Sequence, residues 1–189
     1  AARNPLSSRT MRTSLSSAAS AAGFNAESDA VAIIGVAGEF PGAENLADFW
    51  ADIQAGKENL TPIPQARWAI TPDDNGNPHY VNRGGFLNNV DCFDPEMFRM
   101  SSEEASRLDP QVRVLLRSAW HALENAGYTP AALNAQQVGV YVGAMNEDFT
   151  WVMAEIYART GRYPGAGSVV SELANRISFL MNLRGPSFC

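Results

Sequence analysis

Short apolar runs alternate with amphipathic helical patterns along this chain, and that alternation restricts the fold more than any other feature. The runs at 29–35 and 137–143 end in glycine, are rich in valine or isoleucine, and are apolar on both faces. Buried strands of a parallel sheet have this composition, because both of their faces are covered. Strands that alternate with helices predict an α/β layered fold.

The strongest helical pattern begins after Asp109. Asp109 is a favourable N-cap, and Pro110 occupies the first turn, where its missing N–H is not needed. Gly127 marks the end of the helix. The predicted apolar stripe consists of Val112, Leu115, Leu116, Ala119, Leu123 and Ala126, with Trp120 beside it.

Two shorter helices are predicted from their capping residues. Asn45 begins a helix that Gly56 ends, and Ser101 with Glu104 forms a capping box for a single-turn helix. Between them, residues 57–97 are rich in proline and glycine. We expect an excursion with short strands there, since no long element fits this composition.

The remaining pattern predicts helices over 149–159 and 168–181, followed by a turn at 185–187 that leads into another strand. Residues 1–29 are rich in serine and alanine and lack a sustained apolar period. Such a segment buries too little surface to fold alone, which predicts a linker or, as the alternative, a docking tail for another protein. The folded domain is predicted to span residues 30–189.

Charge and cysteine content exclude several classes of protein. The 189 residues include 14 Lys and Arg against 20 Asp and Glu, a net charge of −6, with no basic run. This balance argues against a nucleic-acid partner. No apolar run reaches the length of about eighteen residues that predicts a membrane span. The two cysteines make no disulfide framework, so we expect a reducing, cytoplasmic location.

Two local motifs invite a functional interpretation, as a dinucleotide-binding turn and as paired catalytic carboxylates, but their spacing fits neither. Residues 35–38 read Gly-x-x-Gly after an apolar run, but a dinucleotide-binding turn needs G-x-G-x-x-G opening directly into a helix. The acidic pairs Glu103 with Glu104 and Asp73 with Asp74 are sequence neighbours. Acid–base catalysis needs carboxylates in differing environments, so we expect these four to be solvated.

The cysteines and histidines form no metal-binding or catalytic spacing. Cys92 and Cys189 are predicted to be buried, small apolar residues, because neither has an adjacent base or a helix N-terminus. We expect His79 to be solvated and His121 to be packed or half exposed beside the apolar stripe. The residues taken alone show no catalytic constellation and no metal site.

Seven sequence blocks occur in one order along residues 30–189. They are Ala32-Ile33-Ile34-Gly35 with Phe40-Pro41-Gly42-Ala43; Phe49-Trp50; Pro64 with Arg67-Trp68; Gly84-Gly85-Phe86-Leu87 with Asp91, Phe93-Asp94 and Phe98; Leu108-Asp109-Pro110-Gln111 with Arg113 through Trp120, Ala122-Leu123-Glu124 and Ala126-Gly127-Tyr128; Gly139-Val140-Tyr141-Val142-Gly143; and Ala174-Asn175-Arg176-Ile177-Ser178-Phe179 with Gly185-Pro186-Ser187. Together they resemble the β-ketoacyl synthase domains of modular polyketide synthases. The A-N-R-I-S form favours the bacterial type that uses a free-standing acyltransferase (trans-AT).

The sequence departs from that family pattern in three places. Glu39 stands where an arginine usually precedes F-P-G, and Val112 interrupts the M-D-P-Q-Q-R block. Residues 163–167 replace the usual T-G-N-A. The resemblance places this last segment near the acyl tunnel and the dimer interface.

The resemblance implies a thiolase-like layered fold, with a central mixed sheet and covering helices, of which this chain is the amino-terminal half. It implies decarboxylative Claisen condensation of an acyl thioester with a malonyl-type extender. The family nucleophile lies in D-T-A-C-S-S, a few residues after the position of Cys189, and two histidines follow later. We therefore expect no catalytic residue in this chain. Substrates would arrive on the phosphopantetheine arm of an acyl carrier protein, with no cofactor bound directly.

The resemblance also implies candidate positions and partners. Met145, Asn146, Gly167 and Ser168 are candidates for the acyl tunnel or the dimer interface. We expect a complementary carboxy-terminal half on a second polypeptide, a carrier protein, and a homodimer of the completed domain. The alternatives are a truncated or docking fragment without catalysis, and part of a ketosynthase that transacylates or decarboxylates without elongating. The helix faces expected to pack on the completed sheet carry Trp50, Leu116 and Trp120.

Overall fold

A computed structural model describes residues 30–67, 79–161 and 169–189. The chain divides into two units, residues 1–34 and 35–189, of which the first is described only from residue 30. In the first unit, the described residues 30–34 belong to no helix or strand. The described residues of the second unit form every element that follows.

Six helices and four short strands are formed in these described segments. In chain order they are α1 (Leu46–Ala55), β1 (Thr61–Pro62), β2 (Arg83–Gly84), α2 (Ser102–Arg107), α3 (Pro110–Asn125), α4 (Pro130–Leu133), β3 (Val140–Tyr141), α5 (Phe149–Thr160), α6 (Ser171–Leu180) and β4 (Ser187–Phe188). β1 pairs with β2 in antiparallel orientation, whereas β3 and β4 are parallel. No helix among the described residues has both the length and the apolar character needed to cross a bilayer.

The predicted helix starts are confirmed by their caps. The Asn45 side chain accepts the N–H of Asp48 at 2.9 Å, and the Ser101 hydroxyl accepts the N–H of Glu104 at 3.1 Å. The Asp109 carboxylate accepts the N–H of Gln111 at 2.8 Å. Each cap satisfies a backbone donor that the first helical turn leaves unpaired, which is why these residues fix where the helices begin.

The helix ends are also set by local chemistry. Gly56 follows α1 with φ of 62°, and Gly127 lies just beyond α3 with φ of 77°. Glycine occupies this left-handed region without the steric penalty that a Cβ brings. The predicted ends of both helices are therefore confirmed, as are the short strands expected between residues 57 and 97.

The core lies where α3 packs against α6. The predicted stripe of α3 faces inward, with Val112 2% exposed and Leu116 1% exposed. Trp120 is half-buried and meets Phe98 edge-on, with the ring centroids 6.3 Å apart. The buried cluster consists of Phe98, Leu108, Val112, Leu116, Leu173, Ile177 and Met181.

An ion pair joins α2 to α6 beside this core. Glu104 Oε1 accepts from Arg176 Nη1 at 2.8 Å, and Arg176 also pairs with Glu172 on its own helix at 3.3 Å. Glu104 was predicted to be a solvated carboxylate, and that prediction misses its partner 72 residues away. Glu103 pairs with Arg107 one turn along α2. Asp73 and Asp74 lie outside the described residues.

The two apolar runs were predicted to be longer strands than the structure contains. The run at 29–35 forms no strand in its described part, and Val31 and Ile33 are 91% and 84% exposed. The run at 137–143 is a strand only at Val140–Tyr141. A strand needs a hydrogen-bonded neighbour along its length, and among the described residues β4 offers β3 only two register positions.

Three side chains are more exposed than predicted. Cys92 and Cys189 are exposed rather than buried. Cys92 closes a turn in which its N–H donates to the Asn89 carbonyl, and Cys189 follows β4 where that strand leaves the core. Trp50 is 59% exposed on α1, where none of the described elements covers it, and its packing on the completed sheet stays a prediction. His121, predicted to be packed or half exposed, is the third: it is exposed and its ring hydrogen-bonds Glu124, whereas His79 is exposed as predicted.

Replacing Leu116 with alanine tests the position of the core. The substitution leaves a cavity at a side chain that is 1% exposed, so we expect the free energy of unfolding to fall by about 2–5 kcal/mol. Val152→Ala, on the exposed face of α5, is the matched control and should change stability by less than about 0.5 kcal/mol. Chemical denaturation of both variants measures the difference. Equal stabilities would show that α3 does not hold the core.

Candidate functional site at the carboxyl edge of the parallel strands

The β3–β4 pair defines one edge at which both strands end. The N–H of Val140 donates to the Pro186 carbonyl at 2.8 Å, and the N–H of Val142 donates to the Phe188 carbonyl at 3.0 Å. Parallel strands have their carboxyl ends at the same edge, where α/β folds bind ligands. The segment that begins at Gly143 therefore leaves the sheet beside Cys189.

The approach of β4 to β3 depends on a glycine. A Cβ at Gly185 would lie 2.3 Å from the carbonyl carbon and oxygen of Val138, closer than nonbonded atoms can pack. The Ser187 hydroxyl donates to Asn175 Oδ1 at 2.8 Å, which ties β4 to α6. The Gly185-Pro186-Ser187 turn predicted from sequence thus sets the register of the sheet.

The amino terminus of α3 reaches the same edge. Asp109, 7% exposed, caps the helix, and Gln111 Nε2 donates to Asp109 Oδ2 at 3.2 Å. The same amide nitrogen donates to the Asn146 carbonyl at 3.0 Å. One glutamine side chain therefore holds the loop after β3 against the start of α3.

The four candidate positions divide between described and undescribed segments. Asn146 lines a small crevice together with Asp109, Val169 and Val170. Met145, next to Asn146, is 88% exposed. Gly167 and Ser168 lie outside the described residues. The structure thus brings Asn146 together with the residues that directly follow Ser168, and the roles of all four positions in a tunnel or a dimer interface stay predictions.

The β3–β4 pair is covered on one face only. Val140 and Val142 pack against the α3–α6 core. On the opposite face Tyr141 and Phe188 stack with ring centroids 5.8 Å apart, and they are 71% and 61% exposed. Parallel sheets occur almost only with both faces covered, so this aromatic face is a surface prepared for a second layer.

Glu39, which stands where the family usually has an arginine, forms an ion pair with Arg117 of α3. Arg117 Nε and Nη2 each lie 2.7 Å from a different carboxylate oxygen of Glu39. Arg117 also donates to the carbonyl of Cys92. The Glu39 hydrogen bonds raise the pKa of Arg117 above its ordinary value, against the opposing effect of burial. This bidentate pair joins the loop before α1 to the middle of α3.

A neighbouring arginine is held differently. Burial lowers the pKa of Arg113, while the charges of Asp91 and Asp109 oppose that shift. Its Nε is buried and has no hydrogen-bond partner within the described parts of the chain. The two arginines of α3 therefore differ, since a carboxylate fork raises the pKa of Arg117 whereas burial lowers the pKa of Arg113.

The Glu39–Arg117 pair lies at the wall of an open cleft of about 640 Å³ between the segment before α1 and α3. His121 and Asn125 of α3 also line the cleft. His121 Nδ1 and Trp120 Nε1 bond the Glu124 carboxylate at 3.0 and 2.7 Å, and these contacts lower its pKa. The described segments contain no group of three His, Cys, Asp or Glu side chains placed to hold a metal ion.

Sequence reasoning missed both long-range contacts at this site. Glu39 and Arg117 are 78 positions apart, and Gln111 and Asn146 are 35 apart. The only signal for the first was that Glu39 departs from the family pattern. No local pattern signals the second, because a glutamine that bonds a backbone carbonyl leaves no trace in hydrophobic periodicity.

A charge swap tests the Glu39–Arg117 pair. Glu39→Arg places two guanidinium groups together and should destabilise the fold, whereas the double variant Glu39→Arg/Arg117→Glu should recover most of the loss. We expect a coupling energy of about 0.5–3 kcal/mol from the double-mutant cycle, measured by denaturation. The exposed pair Glu155 and Arg159 is the control cycle, with a coupling of at most about 0.5 kcal/mol. Additive losses at Glu39 and Arg117 would contradict the pairing.

Comparison with known proteins supplies the family. The model for "Beta-ketoacyl synthase, N-terminal domain" matches residues 28–189. The polyketide synthase PksM of Bacillus subtilis (strain 168) is 38% identical over 169 residues, which cover 83% of this chain and 4% of PksM. The polyketide synthase ThaG of Burkholderia thailandensis is 37% identical over 169 residues, covering 86% of this chain and 3% of ThaG.

Solved structures agree. The ketosynthase from module 6 of the bacillaene synthase of Bacillus subtilis 168 superposes with a TM-score of 0.72 at 31% identity, covering 85% of this chain and 26% of that one. The oxazolomycin ketosynthase domain OzmH KS7 of Streptomyces albus JA3453 superposes with a TM-score of 0.72 at 37% identity. The match covers 83% of this chain and 28% of that one. The chain thus spans about a quarter of these ketosynthases, whose fold is thiolase-like. It belongs to the β-ketoacyl synthase family, as the amino-terminal part of a polyketide-synthase ketosynthase domain.

Proposed function

We propose that this chain supplies the amino-terminal framework of a ketosynthase that lengthens a polyketide by decarboxylative Claisen condensation. The observation that carries the proposal is the parallel β3–β4 pair. It directs the segment after Phe188 to the edge where Asn146 and the start of α3 meet. In the resembled family, D-T-A-C-S-S with its nucleophilic cysteine follows the G-P-S turn. The nucleophile would therefore emerge at this edge.

In the proposed reaction an acyl group is first transferred to the cysteine thiolate and the carrier thiol leaves. A malonyl-type extender on a carrier protein then loses CO₂, and the electron pair of the broken C–C bond becomes an enolate. The enolate carbon attacks the acyl thioester, and collapse of the tetrahedral intermediate expels the cysteine thiolate. Histidines stabilise the enolate and backbone N–H groups stabilise the oxyanion. We assign all of these groups to the remainder of the domain.

The residues of this chain have a framework role in the proposal. Asn146 is fixed by its carbonyl contact with Gln111, so that Met145 and Asn146 can form part of the acyl tunnel or of the dimer interface. Gly167 and Ser168 are proposed for the same surface. The exposed Tyr141 and Phe188 face supports burial by the complementary carboxy-terminal part of the domain, whichever polypeptide carries it.

We also propose the setting in which this ketosynthase works. Its substrates arrive on the phosphopantetheine arm of an acyl carrier protein, and no cofactor is bound directly. The completed domain forms a homodimer in the cytoplasm, in a synthase of the trans-AT type. The A-N-R-I-S block supports the trans-AT assignment.

Acylation experiments test the proposed division of roles. The 189-residue chain alone should take no label from an acyl-thioester probe, since neither Cys92 nor Cys189 has a hydrogen-bonded base among the described residues. A ketosynthase domain that contains this chain together with its remainder should be labelled once. Mass spectrometry locates the label.

The matched controls are Cys92→Ser and Cys189→Ser in that domain, and both should retain labelling and condensation. Stoichiometric labelling of Cys189 would contradict the assignment of the nucleophile. Labelling of the domain with release of CO₂ but without a condensation product would favour the non-elongating alternative over the elongating one.

A further inference from the structure

Two arginines differ from the other exposed arginines of the described segments. Arg99 and Arg184 are exposed, and neither forms an ion pair or a side-chain hydrogen bond within those segments. The other exposed arginines are engaged: Arg67 donates to the Leu87 carbonyl, Arg83 pairs with Glu58, and Arg159 pairs with Glu155. The chain has an excess of acidic residues, so the surface around these two unpaired guanidinium groups carries a charge opposite to that of the chain as a whole.

Both arginines line one open groove of about 930 Å³ between α4 and the carboxyl end of α6. None of the residues that line it is acidic. Phe179 also lines the groove and is 83% exposed, which places a large apolar side chain in the same groove as the two charges. The groove therefore combines positive charge with an apolar contact, as surfaces that bind acidic amphipathic segments do.

Hydrogen bonds beside the groove join the residues that follow α4 to those that follow α6. The Asn182 side chain donates to Asn134 Oδ1 at 2.5 Å, and the N–H of Ala135 donates to the Asn182 carbonyl at 2.8 Å. The N–H of Arg184 donates to the Gln136 carbonyl at 2.8 Å. These bonds fix α4 against the end of α6, so a ligand would meet a surface that is already formed and needs little ordering on binding.

We propose that this groove docks an acidic amphipathic helix of a partner protein. Carboxylates of the helix would pair with Arg99 and Arg184, and an apolar side chain would cover Phe179. A helix fits better than an added strand, because side chains of helices and loops line the groove and no free strand edge does. The inference rests on charge complementarity and does not depend on the condensation chemistry proposed above.

The test uses the full-length protein that contains this chain and a fluorescent helical peptide with glutamates on one face and leucines on the other. Fluorescence anisotropy should detect binding that weakens as salt rises. Arg99→Glu/Arg184→Glu should reduce the affinity by about tenfold or more, and Phe179→Ser should also reduce it. Arg99→Lys/Arg184→Lys should keep most of the affinity.

Arg159→Glu is the matched control, since it reverses an exposed arginine outside the groove and should change the affinity by less than about twofold. A peptide with lysines in place of the glutamates should not bind. Unchanged melting temperatures would show that the variants are folded. The proposal is overturned if the wild-type protein fails to bind the acidic peptide, or if the groove variants bind it as Arg159→Glu does.

Discussion

The parallel pairing of β3 with β4 is the interaction on which the arrangement of the site depends. Two backbone hydrogen bonds, to the carbonyls of Pro186 and Phe188, set a register that only a glycine at position 185 permits. That register places Val140 and Val142 on the core and leaves Tyr141 and Phe188 uncovered. It also brings two carboxyl ends to one edge. A small local pairing therefore decides both where chemistry can occur and which surface needs a further layer.

Three polar contacts join the elements around this edge to one another. Gln111 joins the loop at Asn146 to the start of α3, and the Glu39–Arg117 fork joins the middle of α3 to the segment before α1. Arg176 joins α6 to α2 through Glu104. The Glu39–Arg117 side chains are 25% and 23% exposed, so solvent screens them less than a surface pair. The first two contacts hold α3 in a fixed orientation, and the third fixes α6, the helix that packs against α3 in the core.

Helices were predictable from the sequence because their signals are local. Caps at Asn45, Ser101 and Asp109 and glycines after two helices lie within a few residues of the backbone groups that they satisfy. Strand lengths were predicted poorly, since a strand depends on partners distant in sequence. The run at 29–35 has the composition of a buried strand, yet its described residues are exposed and unpaired.

Less of the site could be predicted than of the fold. The residues taken alone gave no catalytic constellation, and the function came from seven blocks in family order. The exposure of Cys92 and Cys189 was missed because burial was inferred from residue type, whereas position in a turn and at the end of β4 decides it. The Glu39–Arg117 pair could be anticipated only as an unexplained departure, since charge type alone does not name a partner.

Hydroxyl-radical footprinting of the aromatic face tests the central claim most directly. Tyr141 and Phe188 should be strongly modified in the 189-residue chain and protected in a ketosynthase domain that contains it, because a second layer then covers β3 and β4. Tyr128, 43% exposed just beyond α3, serves as the internal reference for total dose. Protection of Tyr141 and Phe188 relative to Tyr128 is the predicted result, and equal modification of both rings in the two samples would contradict the account.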